Sequence, residues 1–199
     1  MNPGITACIT THPARLTSGK LARAVQSVLA QTRQPEAIII GNDVEHRGAA
    51  WNRQQVLDRV GTEWMAWLDS DDEWLPQHLE KTWAVAQSIH NAMFVFPWMT
   101  DEFDPLGHFG LPFNPATPHH TTITFLVRTE LAQRVGFAAD FLTVTPERKH
   151  GGEDWLHILG LCKIATQEGL QMVHLAERTW RYNFDGGNTS GVPGQGDAR

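Results

Sequence analysis

The 199-residue chain is predicted to be an α/β protein with a mostly parallel central sheet flanked by helices. Three observations carry this. Short, continuous apolar runs rich in β-branched residues recur along the first half. Stretches with helical apolar spacing separate them. The runs also lack the in–out alternation of a sheet with one wet face, so both faces are covered.

The elements follow in order. "ITACIT" (5–10) reads as a buried strand. Residues 18–31 place Leu21, Ala24, Val25, Val28 and Leu29 on one helical face. "AIIIG" (37–41) is a second strand, and residues 49–60 form a helix before the strand 64–68. Pro76 is expected to open the next helix, where its missing N–H costs nothing, with Leu79, Trp83, Ala86 and Ile89 facing inward. "AMFVF" (92–96) is a fourth strand. Five prolines and two glycines between 97 and 120 interrupt regular structure, and the aromatic residues among them mark a functional loop. A strand over 122–128, a short helix ending near Gly136, a helix over 153–167 and a strand at "LQMVHL" complete the pattern. The expected organisation is one domain over 1–190, divided between residues 1–96 and 97–190. A Gly-rich, flexible tail follows over 191–199.

Composition narrows the function. Formal net charge is −6, and Lys and Arg form no dense run. A sequence-independent grip on nucleic acid needs a cationic surface and is not expected. The two cysteines are too few for a disulfide framework and are expected as buried thiols. The N-terminus carries neither a basic region nor a long apolar one, and no apolar run approaches membrane-spanning length. A soluble, cytoplasmic protein is the expectation.

The chemistry concentrates at "EWMAWLDSDDEWLP" (63–76), where an apolar strand ends in Asp69, Asp71 and Asp72. Crowded carboxylates repel one another, so the cluster by itself does nothing for folding. In an open parallel sheet, ligands bind beyond the carboxyl ends of the strands. Asp69 and Asp71 stand at such an end, as does Asp43 after the second strand. Together they suit a hard divalent cation, Mn²⁺ or Mg²⁺, that keeps places for phosphate. Asp72 and Glu73 are read instead as the start of the following helix, with Asp72 as its cap. The ten histidines show no zinc spacing.

In order, "ITACITTHPARL", "LARAVQSVLAQTRQPEAIIIGND", "AAWNRQ" and "EWMAWLDSDDEWLPQHLEK" resemble the family 2 glycosyltransferases of GT-A fold. The likeness runs from residue 5 to about 81 and returns at "FLVRTELAQRVGF" and "GGEDW". It implies a nucleotide-diphosphate sugar donor on a nucleotide-binding half (1–96), whose hexosyl group passes to an acceptor hydroxyl of unassigned class on an acceptor half (97–190), the nucleoside diphosphate leaving. Thr10 and Thr11 would face the nucleotide, Asp43 the nucleobase, Asp69 the ribose, and Asp71 the metal on the diphosphate. Asn52 is a retained nucleotide-side residue. Asp154 matches the family's general base, with Glu153 beside it. Trp155, Trp98 and His120 are candidate sugar or acceptor contacts.

Two departures stand out. Trp51 occupies the usual arginine place and Gln54 the usual glycine place; Arg53 or Arg47 could supply the missing charge. Where members often carry a metal-binding histidine near the C-terminus, this chain has none, and Asp185 is the substitute metal ligand, with Asn183 behind it. One base and one direct displacement would invert the anomeric centre. The alternatives are a catalytically impaired nucleotide-sugar-binding protein and a nucleotidyltransferase. The latter is disfavoured because "THPARLTSGK" lacks a Gly/Lys-rich phosphate loop. A phosphohydrolase with an aspartate nucleophile fits less well, since its paired aspartates follow the first strand.

Overall fold

The computed structural model describes residues 1–99, 109–116, 118, 124–137 and 152–183. Its seven strands are β1 (Asn2–Thr11), β2 (Ala37–Asn42), β3 (Thr62–Asp69), β4 (Glu73–Trp74), β5 (Ala92–Met99), β6 (Leu126–Arg128) and β7 (Gln171–Arg181). Its helices are α1 (Pro13–Thr17), α2 (Lys20–Leu29), α3 (Ala49–Leu57), α4 (His78–Ser88), α5 (Thr129–Val135) and α6 (Glu153–Glu168).

Among the described residues one sheet holds these seven strands in the order β2-β1-β3-β6-β5-β7-β4. β1 pairs parallel with both β2 and β3, and β5 pairs parallel with β7. β6 runs antiparallel between β3 and β5, and β4 antiparallel to β7. The sheet is therefore mixed: five strands share a direction and two oppose it.

Apolar side chains alternate across the sheet into two cores. Cys8, Met65, Trp67, Phe94 and Phe96 project to one face, where Val56 and Leu57 of α3, Leu131 of α5 and Ile158 and Leu161 of α6 cover them. Ile5, Ala7, Ile9, Trp64, Ala66 and Leu68 project to the other, against Ala24 and Val28 of α2 and Leu79 and Ala86 of α4. Both thiols are buried and free. Desolvation raises Cys8, and raises Cys162 to about 11.

Several elements differ from expectation. The helix expected over 18–31 is α2 (Lys20–Leu29), and an unexpected five-residue α1 precedes it, set off by Gly19 at φ 74°. Pro76 lies in a turn, and α4 begins at His78 with Gln77 as its N-cap. Asp72 and Glu73 therefore do not start that helix. Glu73 belongs to β4, and Asp72 sits in the tight connection before it. The last strand continues beyond "LQMVHL" to Arg181, because β4 gives its distal end a partner. The 191–199 tail lies outside the described residues. None of the described helices is long and apolar enough to cross a membrane.

Candidate active site at the carboxyl edge of the sheet

Register brings the predicted donor residues together. Thr10 of β1 pairs with Gly41 of β2 on one side and Asp69 of β3 on the other. The loop starts after all three strands thus share one edge. Asn52 crosses this edge from α3, donating from Nδ2 to the carbonyls of Thr11 at 3.0 Å and Gly41 at 3.2 Å. Gly41 permits the approach: a Cβ there would collide with Asn52 Oδ1 and Val56 Cγ2. Thr11 Oγ1 is buried with no hydrogen-bond partner.

Asp43 is buried and organises its own loop. Oδ1 accepts the Arg47 backbone N–H at 2.8 Å, and Oδ2 accepts that of Gly48 at 2.7 Å. It thereby fixes the entry to α3. Each carboxylate oxygen keeps a second lone pair for a ligand.

The two candidate arginines separate cleanly. Arg47 is exposed and lays its guanidinium over the Trp51 ring, 4.4 Å from the centroid. Arg53 is buried and donates from Nη2 to Asp69 Oδ1 at 3.0 Å and from Nη1 to Glu153 Oε1. Its two carboxylates hold it firmly protonated despite burial. The charge absent at position 51 is therefore present two positions later, on the inward face of α3. Gln54, at the family's glycine place, has a structural use: Oε1 accepts the Phe137 N–H at 2.7 Å, tying α3 to the end of α5.

Asp154 stands in the first turn of α6, which opens at Gly152 in a left-handed conformation (φ 97°). Oδ1 accepts the Trp155 N–H at 2.7 Å. Burial pushes the Asp154 carboxyl up to about 6; Arg53 opposes the rise, and Glu153 and Asp69 add to it. The result is a carboxylate of raised basicity beside a guanidinium that ties the base's helix to the donor edge.

Asp71 and Asp72 have separate partners. Arg15 of α1 grips Asp71 with both terminal nitrogens, Nη1 to Oδ1 at 2.9 Å and Nη2 to Oδ2 at 2.8 Å, and Nη1 also reaches Ser70 Oγ at 3.2 Å. Asp72 Oδ1 accepts the Asn183 N–H at 2.9 Å, and Asn183 Nδ2 donates to the Asp71 carbonyl at 2.8 Å and to Glu73 Oε1 at 3.1 Å. Asn183 therefore straps the end of β7 onto the aspartate loop. Burial and the Asp69 charge push Asp72 up to about 8, and the same two causes raise Asp71.

Other candidates fall elsewhere. Trp98 is buried in an aromatic cluster, its ring 6.0 Å from Phe96 and 6.3 Å from Phe109. It packs as core rather than facing the carboxylates. Trp155 is half-buried next to Asp154. His120 and Asp185 lie outside the described residues. Among the described residues, no three His, Cys, Asp or Glu side chains converge to hold a metal. Asp71 and Asp69 still fit a cation of the Mg²⁺ type, which uses one or two carboxylates and completes its shell with phosphate and water. The orphan Thr11 hydroxyl nearby is a ready polar contact for such a ligand.

Comparison with known proteins finds both a family match and a shared fold. The sequence model of glycosyl transferase family 2 matches residues 44–126. The fold superimposes on crystal structures of S. aureus TarS. For the 1-349 fragment the TM-score is 0.70 at 14% identity, covering 91% of this chain and 60% of that one. For the same fragment in complex with UDP-GlcNAc it is 0.73 at 14% identity, covering 96% and 62%. With UDP it is 0.68 at 13% identity, covering 92% and 60%. The chain thus spans about 60% of the length of these TarS fragments. No curated protein matches by sequence. Part of the chain thus matches the glycosyl transferase family 2 model, and its fold is shared with TarS.

Proposed function

We propose that the chain is an inverting, metal-dependent glycosyltransferase that moves a sugar from a nucleotide diphosphate to an acceptor hydroxyl. The observation that carries this reading is the basic Asp154 carboxylate, tied through Glu153 and Arg53 to Asp69 at the donor edge.

The carboxyl edge of β1, β2 and β3 receives the nucleotide. Asp43 offers its remaining lone pairs to the base, Thr10, Thr11 and Asn52 line the strand ends, and Asp69 faces the ribose. Asp71, with Asp185 as a further oxygen ligand, would hold Mn²⁺ or Mg²⁺, which when bound neutralises charge on the departing diphosphate. Asp154 takes the proton of the acceptor hydroxyl as oxygen attacks the anomeric carbon. A single displacement with one base inverts that centre. Trp155, beside the base, offers a ring to the sugar or acceptor. UDP is the first nucleotide to test, because TarS has been crystallised with UDP and UDP-GlcNAc.

Calorimetric titration with UDP, GDP, dTDP and CDP, each with Mn²⁺ and with chelator, tests the donor half on the unaltered protein and on Asp71→Ala. The expected result is metal-dependent binding of one nucleotide that Asp71→Ala abolishes. Failure of every nucleotide to bind would remove the basis of the reading. Binding without hydrolysis or transfer across sugar donors and acceptors would favour the impaired binding protein instead.

A further inference from the structure

Arg15 engages both oxygens of the aspartate assigned to the metal. The contact is a two-pronged fork, extended to Ser70 Oγ, on a carboxylate that is itself buried. A guanidinium matches carboxylate and phosphate with the same planar geometry, so it can exchange one for the other without redesign of the site. A divalent cation at Asp71 needs at least one of the oxygens that Arg15 holds. A guanidinium on those same oxygens repels the cation, so the two positive groups compete for one carboxylate.

The support beneath Arg15 allows the exchange. α1 is five residues long, buries none of its side chains and lacks a side-chain cap. It is set off from α2 by Gly19 at φ 74°. It follows directly on β1, whose last residues, Thr10 and Thr11, form the nucleotide edge. A guanidinium released from Asp71 thus stays beside the place where the donor's phosphates would lie.

We infer that Arg15 is a resident counter-cation for Asp71 which, when a divalent metal takes that carboxylate, transfers to the diphosphate of the donor. Arg15 is then a donor-binding residue that the family-like motifs do not mark. The inference rests on the metal-dependent donor site proposed above. It makes metal and nucleotide binding mutually dependent: metal alone must displace a charged fork, while metal with nucleotide gives that fork a new anion.

The test uses Mn²⁺ alone, UDP alone and UDP with saturating Mn²⁺, titrated into the full chain and its Arg15→Gln and Arg15→Lys variants. Thermal melts of each variant check folding. For Arg15→Gln the expected result is Mn²⁺ binding about tenfold tighter in the absence of nucleotide, and UDP binding about tenfold weaker at saturating Mn²⁺. Arg15→Lys should fall between, because an ammonium keeps the charge but not the fork. Metal-dependent UDP binding that Arg15→Gln leaves unchanged would overturn the role of Arg15 while preserving the donor site. The same holds if Mn²⁺ alone binds no more tightly to Arg15→Gln. UDP binding indifferent to Mn²⁺ in the unaltered protein would overturn the metal-dependent site and this inference together.

Discussion

Arg53 Nη2 lies 3.0 Å from Asp69 Oδ1 while its Nη1 holds Glu153, so one buried guanidinium spans 100 residues of sequence and joins the end of β3 to the start of α6. The residue after each carboxylate partner is functionally close: Ser70 meets Arg15, and Asp154 is the proposed base. The position of the base relative to the donor edge therefore depends on Arg53. Removing it leaves two carboxylates facing each other with little solvent.

Arg53→Met should destabilise the fold by about 3–5 kcal/mol, the usual cost of breaking a buried ion pair by deleting one partner. Urea denaturation measures it. Arg53→Lys should recover only part of the loss, since a point charge cannot serve Asp69 and Glu153 from separate prongs.

Asp154→Asn should lower turnover by about 10²–10⁴-fold with nucleotide binding intact, as expected for loss of a general base. It should also raise the melting temperature at pH 7. The sign follows from the raised carboxyl. Between its ordinary value near 3.8 and about 6 the folded state holds a proton that the unfolded state has lost. Stability from this group is present at low pH and falls as pH rises through that window. Melts at pH 4 and pH 7 should show the Asn gain only at the higher value.

Under the proposed mechanism, the transfer rate of the unaltered protein should rise with pH and level off above about 6, where Asp154 becomes ionised. The acidic limb of a kcat/KM profile reads this directly. An acidic limb near 4 would mean that the base titrates as an ordinary carboxyl.

Gly41→Ala should cost about 1–3 kcal/mol, because the new methyl must push aside Asn52 Oδ1 and Val56 Cγ2 in a packed interior. Nucleotide affinity should fall with it, since Asn52 ties the β1 and β2 ends together. A denaturant melt and a UDP titration on the same preparation check both.

Asp43→Ala should lose nucleotide binding and also loosen residues 43–48, because both carboxylate oxygens accept backbone N–H groups there. Asp43→Asn keeps one acceptor oxygen and should retain most of the stability. Hydrogen exchange at Arg47 and Gly48 separates the loop effect from the binding effect.

Much of this was legible because apolar patterning follows burial. The runs at 5–10, 37–41, 64–68 and 92–96 all became strands of the expected sheet. Strand direction is different: nothing within Leu126–Arg128 or Glu73–Trp74 records whether a two- or three-residue strand runs with or against its neighbours. α1 was missed because five residues carry too little periodicity. Asp72 was misassigned because an acidic residue shortly before a helix looks like a cap wherever the chain actually turns.

At the site, carboxylates at strand ends could be read locally, but their partners could not. Arg15 and Asp71 are 56 positions apart, and neither residue's neighbours hint at the other. The choice between Arg47 and Arg53 did have a signal. Asn52, Arg53, Val56 and Leu57 share one helical face, and the two aliphatic members require that face to point inward.

The reversed strand β6 also sets a spacing. Without it β3 and β5 would be immediate neighbours about 5 Å apart; with it their centres stand about 10 Å apart. Ala66 of β3 and Val95 of β5 both pair with Leu126, one strand's width to either side. That added width lies within the sheet itself, so the reversed strand sets the carboxyl edge of β1 to β3 apart from the β5–β7 pair.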